Sequence, residues 1–182
     1  MSEKNIAIFG LGKSGVSACR FFEKKNYTIF ADDDFPDENK KKKLPKNIIL
    51  KKYNDWDFKN LDFIIAAPGV PSKGKNKHEI FKLAEKNKCK ITSDIEAFIN
   101  FLPKSCKVIG ITGTNGKSTT TALTYHILKE NNFNCEIGGN FGIPVFDLEI
   151  AENKIYVIET SSFQLDIMTD FKFDVACYLN LT

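Results

Sequence analysis

At 182 residues, with 42% apolar and 27% charged side chains, the chain has an ordinary globular composition, which speaks against disorder and against membrane insertion. Its 26 basic and 23 acidic residues leave a net charge of +3, too balanced to suggest a nucleic-acid partner. The five cysteines, at 19, 89, 106, 135 and 177, form no C-x-x-C pair. Zinc and dithiol chemistry are therefore not expected, and these residues read as buried small apolar side chains.

From the N-terminus, strand-like and helix-like segments alternate: a strand over 5–9, a helix over 16–25, strands over 27–31, 48–50 and 63–67, a helix over 78–87 and a strand over 89–92. Such alternation predicts a parallel sheet with crossover helices. Met1 to Asn5 carries no apolar leader and no apolar run approaches a membrane span, so the cytoplasm is the expected compartment. Ser93-Asp-Ile-Glu96 has capping-box spacing and predicts a short helix to Phe101. Leu102-Pro-Lys-Ser105 reads as a hinge, which divides the chain into domains at 1–102 and 103–182.

The first domain carries Gly10-Leu-Gly-Lys-Ser-Gly15 between a strand and a helix, with Asp32 twenty residues beyond Gly12. This is a dinucleotide-binding layout: the helix N-terminus takes a pyrophosphate and the acid takes a ribose hydroxyl. A pyrophosphate is common to NAD, FAD and nucleoside diphosphate sugars, so the residues alone leave these open. Pro68-Gly-Val-Pro71 follows a strand and reads equally as a rigid wall of the same crevice or as a plain tight turn. The lysines 40–43 lie next to Asp32 to Asp34, Asp37 and Glu38, which nearly cancel them, and so read as a solvated loop.

After the hinge, a strand over 107–111 enters Gly113-Thr-Asn-Gly-Lys-Ser-Thr119 and then a helix to about residue 131. A Gly-rich turn between a strand and a helix is a phosphate cradle, with Lys117 able to reach the β/γ-phosphates and Ser118 able to ligate Mg²⁺. Strands are expected over 134–137, 155–158 and 174–179, the last an open edge with aggregation or dimerisation risk. Glu159 ends one of them, where a carboxylate could hold the metal, and the polar run Thr160 to Gln164 after it suggests ligand contacts. Gly138-Gly-Asn-Phe-Gly142 leaves the Asn140 amide free to approach a ligand. At about 80 residues this second domain is expected to be cut short.

The form G-T-x-G-K-[ST] resembles the cradle of the Mur ligase and folylpolyglutamate synthase superfamily. Taken in order, G-L-G-K-S-G, A-P-G-V-P, S-D-I-E, G-T-N-G-K-S-T, G-G-N-F-G and E-T-S-S-F-Q-L are similar to the D-glutamate-adding branch of the Mur ligases over the whole chain. The resemblance implies a Rossmann-like parallel α/β domain that binds a UDP-sugar, followed by a truncated P-loop α/β domain that binds ATP. Gly113, Thr114, Asn115, Gly116, Lys117, Ser118 and Thr119 would cradle ATP, and Lys117 and Glu159 would be catalytic. Ser118 and Glu159 would hold Mg²⁺, while Lys13, Ser14, Asp32, Gly69 and Asn140 would contact the UDP-sugar.

The reaction so implied joins D-glutamate to UDP-N-acetylmuramoyl-L-alanine in peptidoglycan synthesis, through an acyl phosphate formed from ATP. A histidine, a modified lysine and a third domain that the resemblance implies for this chemistry would all lie beyond Thr182; neither His78 nor His126 stands in the histidine's place. The 182 residues alone are accordingly expected to be catalytically silent. The sequence departs from the family at Asp34, where many members carry a basic residue, so uridine contacts by Asp33 and Asp34 are not carried over. The rival readings are a non-catalytic nucleotide-binding module, which would bind without turnover, and an NAD-dependent dehydrogenase, which leaves Glu159 and the second Gly-rich turn unexplained.

Overall fold

The computed structural model describes residues 4–181. In chain order its elements are β1 (Asn5–Phe9), α1 (Lys13–Glu23), β2 (Thr28–Asp32), α2 (Glu38–Lys42), β3 (Ile49–Leu50), β4 (Phe63–Ala66), α3 (Glu79–Asn87), β5 (Ile91–Ser93) and α4 (Asp94–Ile99). They continue with β6 (Lys107–Thr112), α5 (Lys117–Glu130), β7 (Cys135–Gly139), β8 (Ile155–Glu159), α6 (Ser162–Ile167) and β9 (Val175–Tyr178). Three short 3₁₀ turns complete the set among the described residues. None of the helices is long and apolar enough to cross a membrane.

The first sheet has the order β3-β2-β1-β4-β5 and the second β7-β8-β6-β9, and every pairing is parallel. Central strands of parallel sheets are covered on both faces and therefore read as continuous apolar runs. Ile6 to Phe9 and Ile64 to Ala66 are buried throughout, as are Tyr156 to Ile158. The mixed α/β class expected from the alternation is the observed one.

Two compact units meet between Asp94 and Ile95. Residues 95–102, expected in the first domain, cluster with the second. Aromatic packing explains this: Phe98 lies edge-on to Tyr156 at 5.4 Å and to Phe146 at 6.0 Å between ring centres. Glu96, which the capping-box spacing assigned to a helix start, also accepts from the Thr169 and Asp170 amides at 2.9 and 3.3 Å.

Other boundaries shift for local reasons. Helix α1 starts at Lys13, immediately after the turn glycines, because a Cβ at Gly15 would lie 1.9 Å from the Gly10 carbonyl oxygen; only glycine lets the helix begin there. Helix α6 was not expected, because the run Thr160 to Gln164 reads as polar. It is closed by a capping box in which Ser161 accepts from the Gln164 amide and Gln164 accepts from the Ser161 amide. The bonds of Gln164 thus go into a helix start. Of the five cysteines, Cys19, Cys106 and Cys135 are buried, whereas Cys89 and Cys177 are half-buried. Helix α5 keeps a single buried residue, Thr121, while Leu123 and Ile127 are about half exposed, and β9 forms an open sheet edge.

Candidate functional site

In the first unit, the turn from β1 to α1 is built by Gly10 at φ +93°, whose amide donates to the Asp32 carbonyl at 2.9 Å. A Cβ at Gly10 would lie 2.7 Å from that of Ala67, so the Pro68 to Pro71 turn borders the Gly-rich turn at the carboxyl ends of β1 and β4. Gly69, at φ +94°, has no atom of the described residues within 4 Å of where its Cβ would stand. Lys13, exposed, and Ser14, half-buried, occupy the first turn of α1.

The three consecutive acids have separate tasks. Asp32 is 7% exposed; its carboxylate accepts from the Tyr53 amide at 2.9 Å and faces Lys52 Nζ at 3.4 Å. Asp33 accepts from the Leu11 amide at 2.6 Å, the Phe35 amide at 2.7 Å and Lys40 Nζ at 3.0 Å, bracing the Gly-rich turn against the loop after β2. Burial raises the Asp33 pKa, but the Leu11 amide, Lys40 and the Phe35 amide outweigh it and hold the carboxyl below the usual carboxylate range.

Asp34, more open, lies 3.1 Å from His78 Nε2. His78 Nδ1 caps α3 by accepting from the Ile80 amide, so a neutral ring carries its proton on Nε2 and donates it to Asp34. The ring also packs on Phe9 and Tyr53, with centres 4.7 and 5.3 Å away. A cavity of about 210 Å³ opens beside Asp32, with an apolar lining of Leu11, Ala31, Pro36 and Leu50 and lysines 40 and 52 at its edge. It is smaller than the roughly 300–1,000 Å³ of a whole ligand pocket and matches part of a ligand.

In the second unit, β6 runs into the loop 113–116 and α5 starts from Gly116 at φ +82°. Lys117 folds over this loop and donates to the Gly113 and Thr114 carbonyls at 2.7 and 2.9 Å. Ser118 Oγ donates to Glu159 Oε2 at 2.7 Å, and Asn140 Nδ2 donates to Glu159 Oε1 at 3.2 Å. Three residues chosen from separate motifs thus converge. The close approach depends on Gly139, at φ +119°, where a Cβ would lie 2.2 Å from the Glu159 carbonyl oxygen. Asn140, expected at the UDP-sugar, bonds here to the carboxylate expected at the metal, which places the two candidate residues side by side.

Glu159 is 2% exposed, and beside it Thr160 Oγ1 is buried with no hydrogen-bond partner among the described residues. A hydroxyl and a carboxylate in contact suit a hard cation that takes oxygen ligands. Among the described residues no three His, Cys, Asp or Glu side chains converge. Thr114, Asn115 and Thr119 are exposed along the loop and first helical turn.

Some residues that hold the site's loops, or the sheet that carries them, have no signal in the sequence. Asn180, just after β9, bonds the loop peptide at Asn115, sixty-five residues away, and no local pattern signals such a pairing. Lys40 was read as part of a solvated run, yet it is the cation of Asp33. Lys154 is 3% exposed and bridges Glu136 and Glu149 at 2.8 and 2.6 Å, which ties the 149–154 loop to β7. Burial lowers its pKa, but the two carboxylates outweigh this and keep it charged.

The fold and these sites define a protein of two parallel α/β units, each with a Gly-rich turn leading from its first strand into a helix. Residues 4–92 match the family described as Mur ligase MurD-like, N-terminal domain, and residues 111–182 match the Mur ligase middle domain. A UDP-N-acetylmuramoylalanine--D-glutamate ligase of Wolbachia pipientis wMel is 46% identical over 98% of this chain and 35% of its own length. A ligase of the same name from Rickettsia bellii is 40% identical over 99% of this chain and 39% of its own. The crystal structure of UDP-N-acetylmuramate:L-alanyl-gamma-D-glutamyl-meso-diaminopimelate ligase from Neisseria meningitides superposes over the whole chain and 61% of its own, with a TM-score of 0.58 and 17% identity. The chain belongs to the Mur ligase family and spans 35–39% of the length of these two curated relatives.

Proposed function

We propose that the chain is the UDP-sugar-binding and ATP-binding portion of a ligase that adds D-glutamate to UDP-N-acetylmuramoyl-L-alanine in peptidoglycan synthesis, a cytoplasmic reaction. The observation that carries this reading is the 40–46% identity, across 98–99% of the chain, to relatives bearing that ligase name. The convergence of Ser118, Asn140 and Glu159 beside the loop after β6 supports it chemically.

In the reaction, the L-alanine carboxylate attacks the γ-phosphate of ATP and ADP leaves. The amine of D-glutamate then displaces phosphate from the acyl phosphate. Lys117 leaves its loop carbonyls to neutralise charge on the transferring phosphoryl group. Ser118 and Glu159 would hold Mg²⁺, which when bound offsets phosphate charge. In the first unit, the α1 N-terminus with Lys13 and Ser14 takes the pyrophosphate, and Gly69 keeps the opposite wall low. The apolar cavity beside Asp32 accepts the base. The 182 residues alone bind these ligands without turnover.

Calorimetric titration of this chain with UDP-N-acetylmuramoyl-L-alanine, and with NAD under the same conditions, tests the reading. Saturable binding of the UDP-sugar alone is expected. NAD binding in its place reassigns the first unit to a dinucleotide, and release of ADP that requires both substrates refutes the absence of turnover.

A further inference from the structure

We propose that Asn180 is a positioning residue that sets the phosphate-binding geometry of the loop after β6; this rests on the nucleotide reading of that loop. Asn180 Oδ1 accepts from the Asn115 amide at 2.9 Å, while its Nδ2 donates to the Asn115 carbonyl at 3.1 Å. The Asn180 backbone carbonyl accepts from the Thr114 amide at 3.0 Å, and the Leu179 amide donates to Thr112 at 3.0 Å. A carboxamide is the group that offers a donor and an acceptor side by side to the N–H and C=O of one residue; aspartate lacks the donor and alanine lacks both. Gly113 admits this approach, for a Cβ there would stand 3.1 Å from Leu179 Cβ and 3.2 Å from the Asn180 nitrogen.

The pairing decides which amides serve the ligand. Those of Thr114 and Asn115 are spent on Asn180, and the Thr120 amide closes on the Gly116 carbonyl. Phosphate oxygens therefore fall to the amides of Gly116, Lys117, Ser118 and Thr119, at the start of α5 where helical N–H groups have no intrahelical partner. Lys117 occupies the Gly113 and Thr114 carbonyls from the other side. The loop is thus framed by one residue that leaves on binding and one that stays. Because Asn180 follows β9, nucleotide affinity depends on that edge strand being docked on β6.

The test is Mg·ATP titration of the isotope-labelled chain and of its Asn180→Ala and Asn180→Asp variants, with amide exchange followed at each loop residue. The parent is expected to protect the Asn115 amide with and without nucleotide, and Mg·ATP is expected to move the resonances of residues 116–119. Both variants are expected to weaken Mg·ATP by about five- to tenfold, the order expected when one net hydrogen bond that positions the exposed loop is lost. Asn180→Ala also loses Asn115 protection. Should the alanine variant release β9, seen as lost protection along residues 175–178, the aspartate variant carries the test because it keeps the acceptor. Binding by the variants within about twofold of the parent overturns the proposal, as does loss of Asn115 protection when nucleotide binds. A parent chain that takes no Mg·ATP overturns the nucleotide reading and this inference with it.

Discussion

Gly139 ends β7 and Gly142 lies in the loop that follows, both at positive φ, and their replacement by alanine separates backbone strain from crowding. At Gly142, φ is +80° and no atom of the described residues lies within 4 Å of an added Cβ, so only the left-handed penalty of about 1–2 kcal/mol applies. At Gly139, φ is +119° and the Cβ would lie 2.2 Å from the Glu159 carbonyl oxygen, where real Cβ contacts do not fall below 3.0 Å. The strands must part by at least 0.8 Å, the difference of those two distances, which weakens the 2.9 Å bond from the Asn140 amide to the Glu159 carbonyl. Strain, overpacking and the lost bond together cost about 3–6 kcal/mol, against a typical domain stability of about 5–15 kcal/mol. Urea unfolding followed by far-ultraviolet circular dichroism measures the loss in both variants. The chain's single tryptophan, Trp56, lies in the first unit, so its fluorescence transition is an internal control that Gly139→Ala leaves in place. Equal losses from the two variants, within about 1 kcal/mol, would refute the steric argument.

Two further outcomes follow from the charged groups. Because the folded Asp33 carboxyl titrates below its unfolded value, its stabilisation is present above about pH 4 and is lost as the pH falls through the lower folded value. Asp33→Asn is expected to cost about 1–3 kcal/mol at neutral pH and to flatten the acid limb of stability, read by Trp56 fluorescence in urea; an unchanged acid limb would show that the brace is inert. Lys154→Met removes a buried cation, but the Glu136 and Glu149 side chains are 26% and 75% exposed and rehydrate. The expected loss is therefore about 1–2 kcal/mol by thermal unfolding, below the 3–5 kcal/mol of a fully buried broken pair, and a loss beyond about 4 kcal/mol would contradict this.

The sequence made legible whatever is local. Strand β1 is a continuous apolar run, α3 an amphipathic one, and the Gly10 to Gly15 turn carries its own spacing, so both parallel sheets could be expected from residue order alone. The polar run after Glu159 misled because polarity signals a ligand and a helix cap alike; the spacing from Ser161 to Gln164 was the cue that separates them. The unit boundary was displaced because Pro103 marks a chain turn, whereas Phe98 chooses its packing partners in Tyr156 and Phe146, more than forty residues on. Asn180 was invisible for the same reason: a bond between loops from two strands of one sheet has no periodicity.

The acids 32–34 show how far distance in space can reverse a reading made along the chain. Three carboxylates at a pyrophosphate site would repel the ligand if they acted as free charges. In the structure each faces a basic partner drawn from a different element: Asp32 meets Lys52 after β3, Asp33 meets Lys40 of α2, and Asp34 meets His78 at the head of α3. Asp33 in addition spends its lone pairs on the Leu11 and Phe35 amides, so its charge holds the Gly-rich turn in shape. Substituting a basic residue at Asp34 would replace the acceptor that faces His78 Nε2 with a further donor. The acid at Asp34 and the histidine at 78 are therefore best understood as one pair.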